Sequence, residues 1–272
     1  MPYISPASYR VVRDWVQAAT GFSLGEDKEH YVGFRLTNLL KRHPGTGDEL
    51  VARAMGDPSL QEEVVESILN HETSFFRDWA PFQALREELI PELIERRQSE
   101  RTLRIWSAAC SYGQEPYSLV LLLEEHFKER LGGWEVELLA SDVSTEALDR
   151  ARLARYSRYE VNRGLPGALL LKYFDSHERE FEFKASYRER VCFERINLLG
   201  PWPPSPLFDV ILVRNVLIYF DIEEKIRVLE RMRRALRPDG FLLLGSPETT
   251  LLLDSQWIPR HVAGSVVYVL DE

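Results

Sequence analysis

Leu103-Arg104-Ile105-Trp106-Ser107-Ala108-Ala109-Cys110-Ser111-Tyr112-Gly113-Gln114-Glu115 is the stretch whose reading settles the fold class. Leu103–Ala108 is a short apolar run, which predicts a buried strand. A loop follows, and then a helix from about Glu115 to Glu129. The same alternation recurs downstream. Val136–Ala140 reads as a strand ending at Ser141-Asp142, with a helix from about Thr145. Phe208–Val213 reads as a third strand, Glu223–Leu236 as a helix closed by Pro238-Asp239-Gly240, and Phe241–Leu244 as a fourth strand. Strands alternating with helices at this spacing predict an open, mostly parallel α/β sheet. Val266–Leu270 reads as a last strand, placed at an antiparallel edge. Phe181, Phe183, Val191 and Phe193 alternate with polar residues and predict two short strands of an inserted hairpin subdomain, about residues 175–196.

Upstream the pattern is helical. Apolar periodicity runs through Tyr9–Ala19, Tyr31–Leu40, Leu60–Leu69 and Ala80–Arg97, separated by Gly21, Pro44-Gly45 and Asp57-Pro58. The expected organisation is a helical N-terminal domain (1–72), a linker and helix (73–100), and an α/β domain (101–272). The polar run Glu95–Arg101 marks the last join. In the segment from Lys28 to His43, Lys28, Tyr31, Arg35, Asn38 and Arg42 recur at helical spacing, which predicts a basic outer stripe opposite Val32, Leu36, Leu39 and Leu40.

Composition bounds the function. A net charge of −9 argues against wholesale nucleic-acid binding, which depends on Lys and Arg neutralising phosphates. No apolar run approaches the roughly 20 residues that span a bilayer, and Met1-Pro2-Tyr3-Ile4 lacks the pattern of a signal peptide. Cys110 and Cys192 have neither a disulfide framework nor metal-ligand spacing. The expectation is a cytoplasmic, monomeric protein without a metal or membrane insertion.

In open α/β sheets ligands bind beyond the carboxyl ends of the strands. The first loop here holds a single glycine, Gly113, so the G-x-G-x-x-G cradle for a diphosphate is missing. Glu115 at a helix start would repel a phosphate but can meet an ammonium group. Asp142, ending the second strand, can accept hydrogen bonds from ribose hydroxyls. That combination suits S-adenosylmethionine better than a dinucleotide. Both acids would serve equally well as plain helix caps.

Longer motifs add to this. Trp106–Ser118, Thr73-Ser74-Phe75-Phe76-Arg77, Ala140-Ser141-Asp142-Val143, Ile196-Asn197-Leu198, Phe208-Asp209-Val210-Ile211, Arg214–Asp221 and Leu236–Gly240 closely resemble, in order and spacing, motifs of the CheR family of chemoreceptor glutamate methyltransferases. The resemblance runs from about Val11 to Leu270. It implies a Rossmann-like methyltransferase domain that binds S-adenosylmethionine and releases S-adenosylhomocysteine. It also implies, as substrate, the cytoplasmic domain of a bacterial chemoreceptor or related signalling protein. By the same resemblance, Ala108 lies in the cofactor loop, Glu115 meets the methionine amine and Asp142 holds the ribose. Asn197 and Leu198 lie against the adenine, and Arg214 and Asn215 sit beside the cofactor. Thr73 and Arg77 close over it, and Tyr219 lies near the transferred methyl. Arg77 and Tyr219 are the catalytic candidates, and Lys28, Arg35 and Arg42 are the candidate receptor contacts.

Some positions depart from the family pattern. His71 stands where an Asn is usual, and Gly113-Gln114-Glu115-Pro116 replaces Gly-Glu-Glu-Pro. The segment from Phe174 to Asn197 is short and lacks glycine, whereas one branch of the family has there a longer, glycine-containing loop that grips a receptor C-terminal pentapeptide. Other readings stay open. Arg77 can instead pair with Asp78 at the surface, and Tyr219 can be a buried edge residue. The chain can act on another protein or a small molecule, or bind the cofactor for signalling without turnover.

Overall fold

The computed structural model describes residues 3–271. Contacts divide it into two compact units. One is the chain through Asn70 together with Tyr219–Glu224; the other is His71–Ile218 together with the chain from Lys225 on. Among the described residues, no helix is long and apolar enough to cross a membrane.

The first unit is helical. α1 (Pro6–Thr20) begins where the Ser5 hydroxyl accepts the Ser8 N–H, and it ends at Gly21, whose φ of 78° is the left-handed geometry glycine adopts without strain. α2 (Glu29–Arg35) and α3 (Thr37–Arg42) meet at Leu36. α4 (Gly47–Ala54) and α5 (Pro58–Ile68) follow. Tyr9, Val12, Val16, Leu36, Leu50 and Val64 are among the side chains forming its core, each large aliphatic contributing roughly 1.5–3 kcal/mol on burial. Periodicity alone passes over α4. Its signature is the capping box: the Thr46 hydroxyl accepts the Glu49 N–H while the Glu49 carboxylate accepts the Thr46 N–H.

The basic stripe expected on the segment from Lys28 to His43 is corrected at Tyr31 and Arg35. Tyr31 donates its hydroxyl to the Ile68 carbonyl at 3.1 Å, and the Arg35 guanidinium donates to the carbonyls of Ser67 (2.9 Å) and Leu69. Both face α5, because the last carbonyls of a helix have no partner within it and attract donors. Arg42 is exposed and paired with Glu63 at 3.1 Å, and Lys28 is exposed.

The second unit opens with α6 (Ala80–Ala84), one wide turn at Leu85–Leu89, and α7 (Ile90–Arg96). The wide turn falls just before Pro91, which lacks an N–H and crowds the preceding turn. β1 (Thr102–Ala108), α8 (Gln114–His126), β2 (Glu135–Asp142) and α9 (Thr145–Leu153) come next. They are followed by β3 (Arg155–Ser157), α10 (Arg158–Val161), α11 (Gly167–Tyr173), β4 (Phe174–Ser176), β5 (Glu180–Phe183), α12 (Ala185–Arg188) and β6 (Val191–Arg195). The unit closes with β7 (Phe208–Val213), α13 (Ile222–Ala235, begun in the first unit), β8 (Leu236–Leu244), β9 (Trp257–Val262) and β10 (Ser265–Leu270).

The main sheet has seven strands in the order β6-β2-β1-β7-β8-β10-β9, the first five mutually parallel. β7 is buried at every position, as a strand covered on both faces must be. This is the open α/β architecture expected, with two strand assignments changed. Val191–Arg195 does not pair with Glu180–Phe183; it lies parallel to β2 at the edge of the main sheet. The inserted hairpin is instead β4 with β5, extended by β3 into a separate antiparallel sheet. An edge strand and a hairpin strand both bury one face, so alternation alone does not separate them. β10 is antiparallel, but the true edge is β9, which carries Pro259, a residue that cannot donate to a ladder and is tolerated on edge strands.

Candidate cofactor site at the strand ends

β1 ends at Ala108, in register with Ser141 on β2 and Val213 on β7. The next residues, Asp142 and Arg214, therefore flank the exit of β1. From β1 the sheet order runs to β2 and β6 on one side and to β7 and β8 on the other. Such a reversal opens a crevice beyond the carboxyl ends.

The loop after β1 is tightly built. Ala109, Ser111 and Gly113 have φ of 56°, 51° and 87°, and left-handed non-glycine residues cost on the order of 1–3 kcal/mol unless their surroundings impose them. Here they do. Cys110 N–H donates to Ser141 O (2.8 Å), Ser111 N–H to Asp142 Oδ2 (2.8 Å), and Ser111 Oγ to His71 O (3.0 Å). The Tyr156 hydroxyl, from the small sheet, donates to Tyr112 O at 2.8 Å. The His71 ring tilts against Tyr112 with centroids 5.1 Å apart, and Arg150 lies 4.0 Å over the same ring. His71 thus acts as a stacking side chain against the loop.

Asp142 is buried. Its second oxygen accepts the Ser144 N–H at 3.0 Å. Burial pushes its carboxyl above the ordinary value, opposed by N–H donors from Ser144, Ser111 and Val143. A carboxylate offers about four lone-pair positions, so these N–H bonds still leave capacity for a hydroxyl ligand. The thiol of Cys110 is pushed well up by burial, so it is not a thiolate at neutral pH.

Glu115 stands in the first turn of α8. Ser107 Oγ donates to its Oε1 and Arg214 Nη1 to its Oε2, both at 2.8 Å. The Arg214 side chain is 1% exposed. Its Nη2 also donates to Arg77 O (2.7 Å) and to Asp78 Oδ2 (3.1 Å), while its buried Nε has no acceptor among the described residues. A buried donor left so costs roughly 1–3 kcal/mol. A ligand oxygen would remove that cost.

The Thr73–Arg77 motif is anchored from behind. Phe75 is fully buried, and Phe76 N–H donates to Ser118 Oγ at 2.9 Å. Phe76 and Asp78, on either side of Arg77, have φ of 48° and 60°. Arg77 is half-exposed and donates to Glu72 O at 2.7 Å. The surface pair with Asp78 is not formed, because that carboxylate takes Arg214. Thr73 is half-buried in the same segment.

On the other side, β6 ends with Arg195 opposite Asp142, and Asn197 and Leu198 continue from it. Leu198 is buried, and Asn197 accepts the Leu199 N–H on its side chain (2.9 Å) and Trp202 Nε1–H on its carbonyl (3.1 Å). Asn215 has φ 58°, a conformation asparagine tolerates better than most residues. Tyr219 belongs to the helical unit. There its hydroxyl accepts from Asn70 Nδ2 (2.8 Å), its carbonyl accepts the Ser23 N–H (2.8 Å), and Phe22 packs edge-on at 4.7 Å. Sequence reading missed Ser107, Asp78, Tyr156 and Glu248, the last of which accepts backbone N–H groups after β7.

Known proteins resemble this chain along nearly its whole length. The family described as "CheR methyltransferase, SAM binding domain" matches residues 71–260. The chain is 36% identical over 267 residues to "Chemotaxis protein methyltransferase 1" of Pseudomonas aeruginosa, covering 96% of this chain and 97% of that protein. It is 37% identical over 262 residues to "Chemotaxis protein methyltransferase Cher2" of Pseudomonas putida, covering 94% and 95%. A third relative, "Chemotaxis protein methyltransferase 1" of Vibrio cholerae, is 32% identical over 98% of both chains.

Proposed function

The chain belongs to the CheR methyltransferase family, and we propose that it transfers methyl groups from S-adenosylmethionine to glutamate side-chain carboxylates on the cytoplasmic part of chemoreceptors. One observation carries the cofactor half of this reading. Asp142 and the Arg214–Glu115 pair flank the end of β1, beside a loop with a single glycine. The donor set fits a ribose, an amino-acid head group and no diphosphate.

S-adenosylmethionine supplies, when bound, an electrophilic methyl on a sulfonium. The chain's own groups have positional tasks. Asp142 presents acceptors for ribose hydroxyls, Glu115 brings negative charge toward an ammonium, and the buried Arg214 Nε–H offers a donor to a carboxylate. A substrate glutamate, with an ordinary pKa of about 4.3, is ionised at neutral pH and needs no base. Cys110 is buried as the thiol and plays no part as a nucleophile. Rate enhancement then comes from alignment, with the attacking oxygen about 3 Å from the methyl carbon and in line with it. Arg77 is the proposed carboxylate-positioning group, and Tyr219 joins it on the strength of the family motif.

The direct test incubates the purified chain with labelled S-adenosylmethionine and a chemoreceptor cytoplasmic fragment. Base-labile label on the fragment is the expected result. Label confined to a small molecule, or absent despite cofactor binding, would replace the receptor assignment. For the site itself, Asp142→Asn keeps one acceptor oxygen for the neighbouring loops. It should weaken S-adenosylhomocysteine binding in calorimetry by about 1–3 kcal/mol. Unchanged affinity would remove Asp142 from the site.

A further inference from the structure

The loop leaving β7 is held by an anion from the chain itself. Glu248 Oε2 accepts the N–H groups of Asn215 and Gly245, both at 2.7 Å. Its Oε1 accepts those of Val216 (2.9 Å), Leu217 (2.7 Å) and Ile218 (3.3 Å). Successive N–H groups converging on one carboxylate form an anion nest. Peptide backbone does not adopt that shape unaided, since its donors would otherwise point at one another across empty space. The nest begins at Asn215 in the left-handed region and closes at Gly245, where a Cβ would lie 2.7 Å from both Asn215 N and Glu248 Oε2.

Arg214 is the residue immediately before this nest. Its guanidinium must reach Glu115, Asp78 and the Arg77 carbonyl at once. The direction in which its side chain leaves the backbone is set by the turn at Asn215, and that turn is set by Glu248. We propose that Glu248 is a positioning residue for the cofactor site. It neutralises the donors of the β7 exit loop and so aims Arg214 at Glu115 and at the ligand. This rests on the cofactor reading above. It adds a residue that touches no ligand and acts only through Arg214.

The experiment measures S-adenosylhomocysteine affinity by calorimetry for the unsubstituted chain, Glu248→Gln, Arg214→Lys and the double variant, each well below its own melting temperature. Gln keeps the size of Glu but turns one acceptor into a donor facing N–H groups. Glu248→Gln is expected to weaken binding tenfold or more. The double variant should bind no more than about twofold worse than Arg214→Lys, because groups acting in one chain of contacts are not additive. Multiplying losses would show that Glu248 acts independently of Arg214 and would overturn the proposal, as would unchanged affinity in Glu248→Gln. If Glu248→Gln does not fold, Glu248→Asp keeps the charge but draws the carboxylate back by one methylene, and should give the same non-additive pattern. Failure of the unsubstituted chain to bind S-adenosylhomocysteine would instead remove the cofactor reading itself, and this proposal with it.

Discussion

Substituting Arg97 with methionine is expected to lower the stability of the α/β unit by about 3–5 kcal/mol, the cost of breaking a buried ion pair from one side. The Arg97 side chain is 6% exposed and Asp209 is fully buried. Arg97 donates through Nε to Asp209 Oδ1 at 2.7 Å and through both terminal nitrogens to Asp239 at 2.8 and 2.6 Å. Asp209 also accepts the Arg104 N–H at 2.8 Å, so the Arg97–Asp209 pair joins the end of α7 to β1, β7 and β8 at one point. Methionine fills the volume but leaves Asp209, among the described residues, only Arg237 at 3.5 Å as a charged partner. Urea unfolding at neutral pH checks the loss; a change under about 1 kcal/mol would mean that Arg237 suffices. The pH dependence has a definite sign. The hydrogen bond from Arg97 holds the Asp239 carboxyl below its ordinary value. A depressed acid contributes stability above its unfolded pKa, about 3.9, and loses it as pH falls through the folded value. The unsubstituted protein should therefore lose more stability below about pH 4 than Arg97→Met does.

That network shows where sequence reading stops. Glu95–Arg101 looks like a solvated polar run, yet Arg97 within it is among the most buried arginines of the chain. What identifies it is two acids more than a hundred residues away, and composition carries no trace of that pairing. Strand β1, its loop and Asp142 were legible, because a central parallel strand is apolar throughout and the acid closing its neighbour stands at a fixed topological position. Glu248 was not. Its partners are backbone N–H groups, which every sequence has. Tyr31 and Arg35 misled for a related reason: polar tips at helical spacing look solvent-facing, but the open carbonyl end of α5 takes both. The resemblance implied that Arg214 sits beside the cofactor. It took the geometry to show that the guanidinium also neutralises Glu115 and Asp78.

Arg77→Ala is expected to reduce methyl transfer roughly a hundredfold or more while changing the melting temperature little. The structural contribution of the side chain is small, since it donates to the carbonyl of the exposed Glu72 while Asp78 is committed to Arg214. An exposed contact of that kind contributes under about 1 kcal/mol. Its placement, by contrast, is expensive to build. Phe75 and Phe76 are packed into the core, Ser118 holds the backbone between them, and left-handed residues stand on both sides of Arg77. The Arg77 carbonyl meanwhile receives the Arg214 guanidinium, tying the segment to the ion pair at the strand ends. Backbone strain on this scale persists where the surrounding fold imposes it, and a planar, permanently charged fork suits a carboxylate. Arg77→Lys separates charge from geometry: a lysine keeps the charge but not the fork, and should recover only part of the lost turnover. Near-normal methylation of a receptor fragment by Arg77→Ala, with cofactor binding intact, would sink the assignment and leave Arg77 as a surface residue.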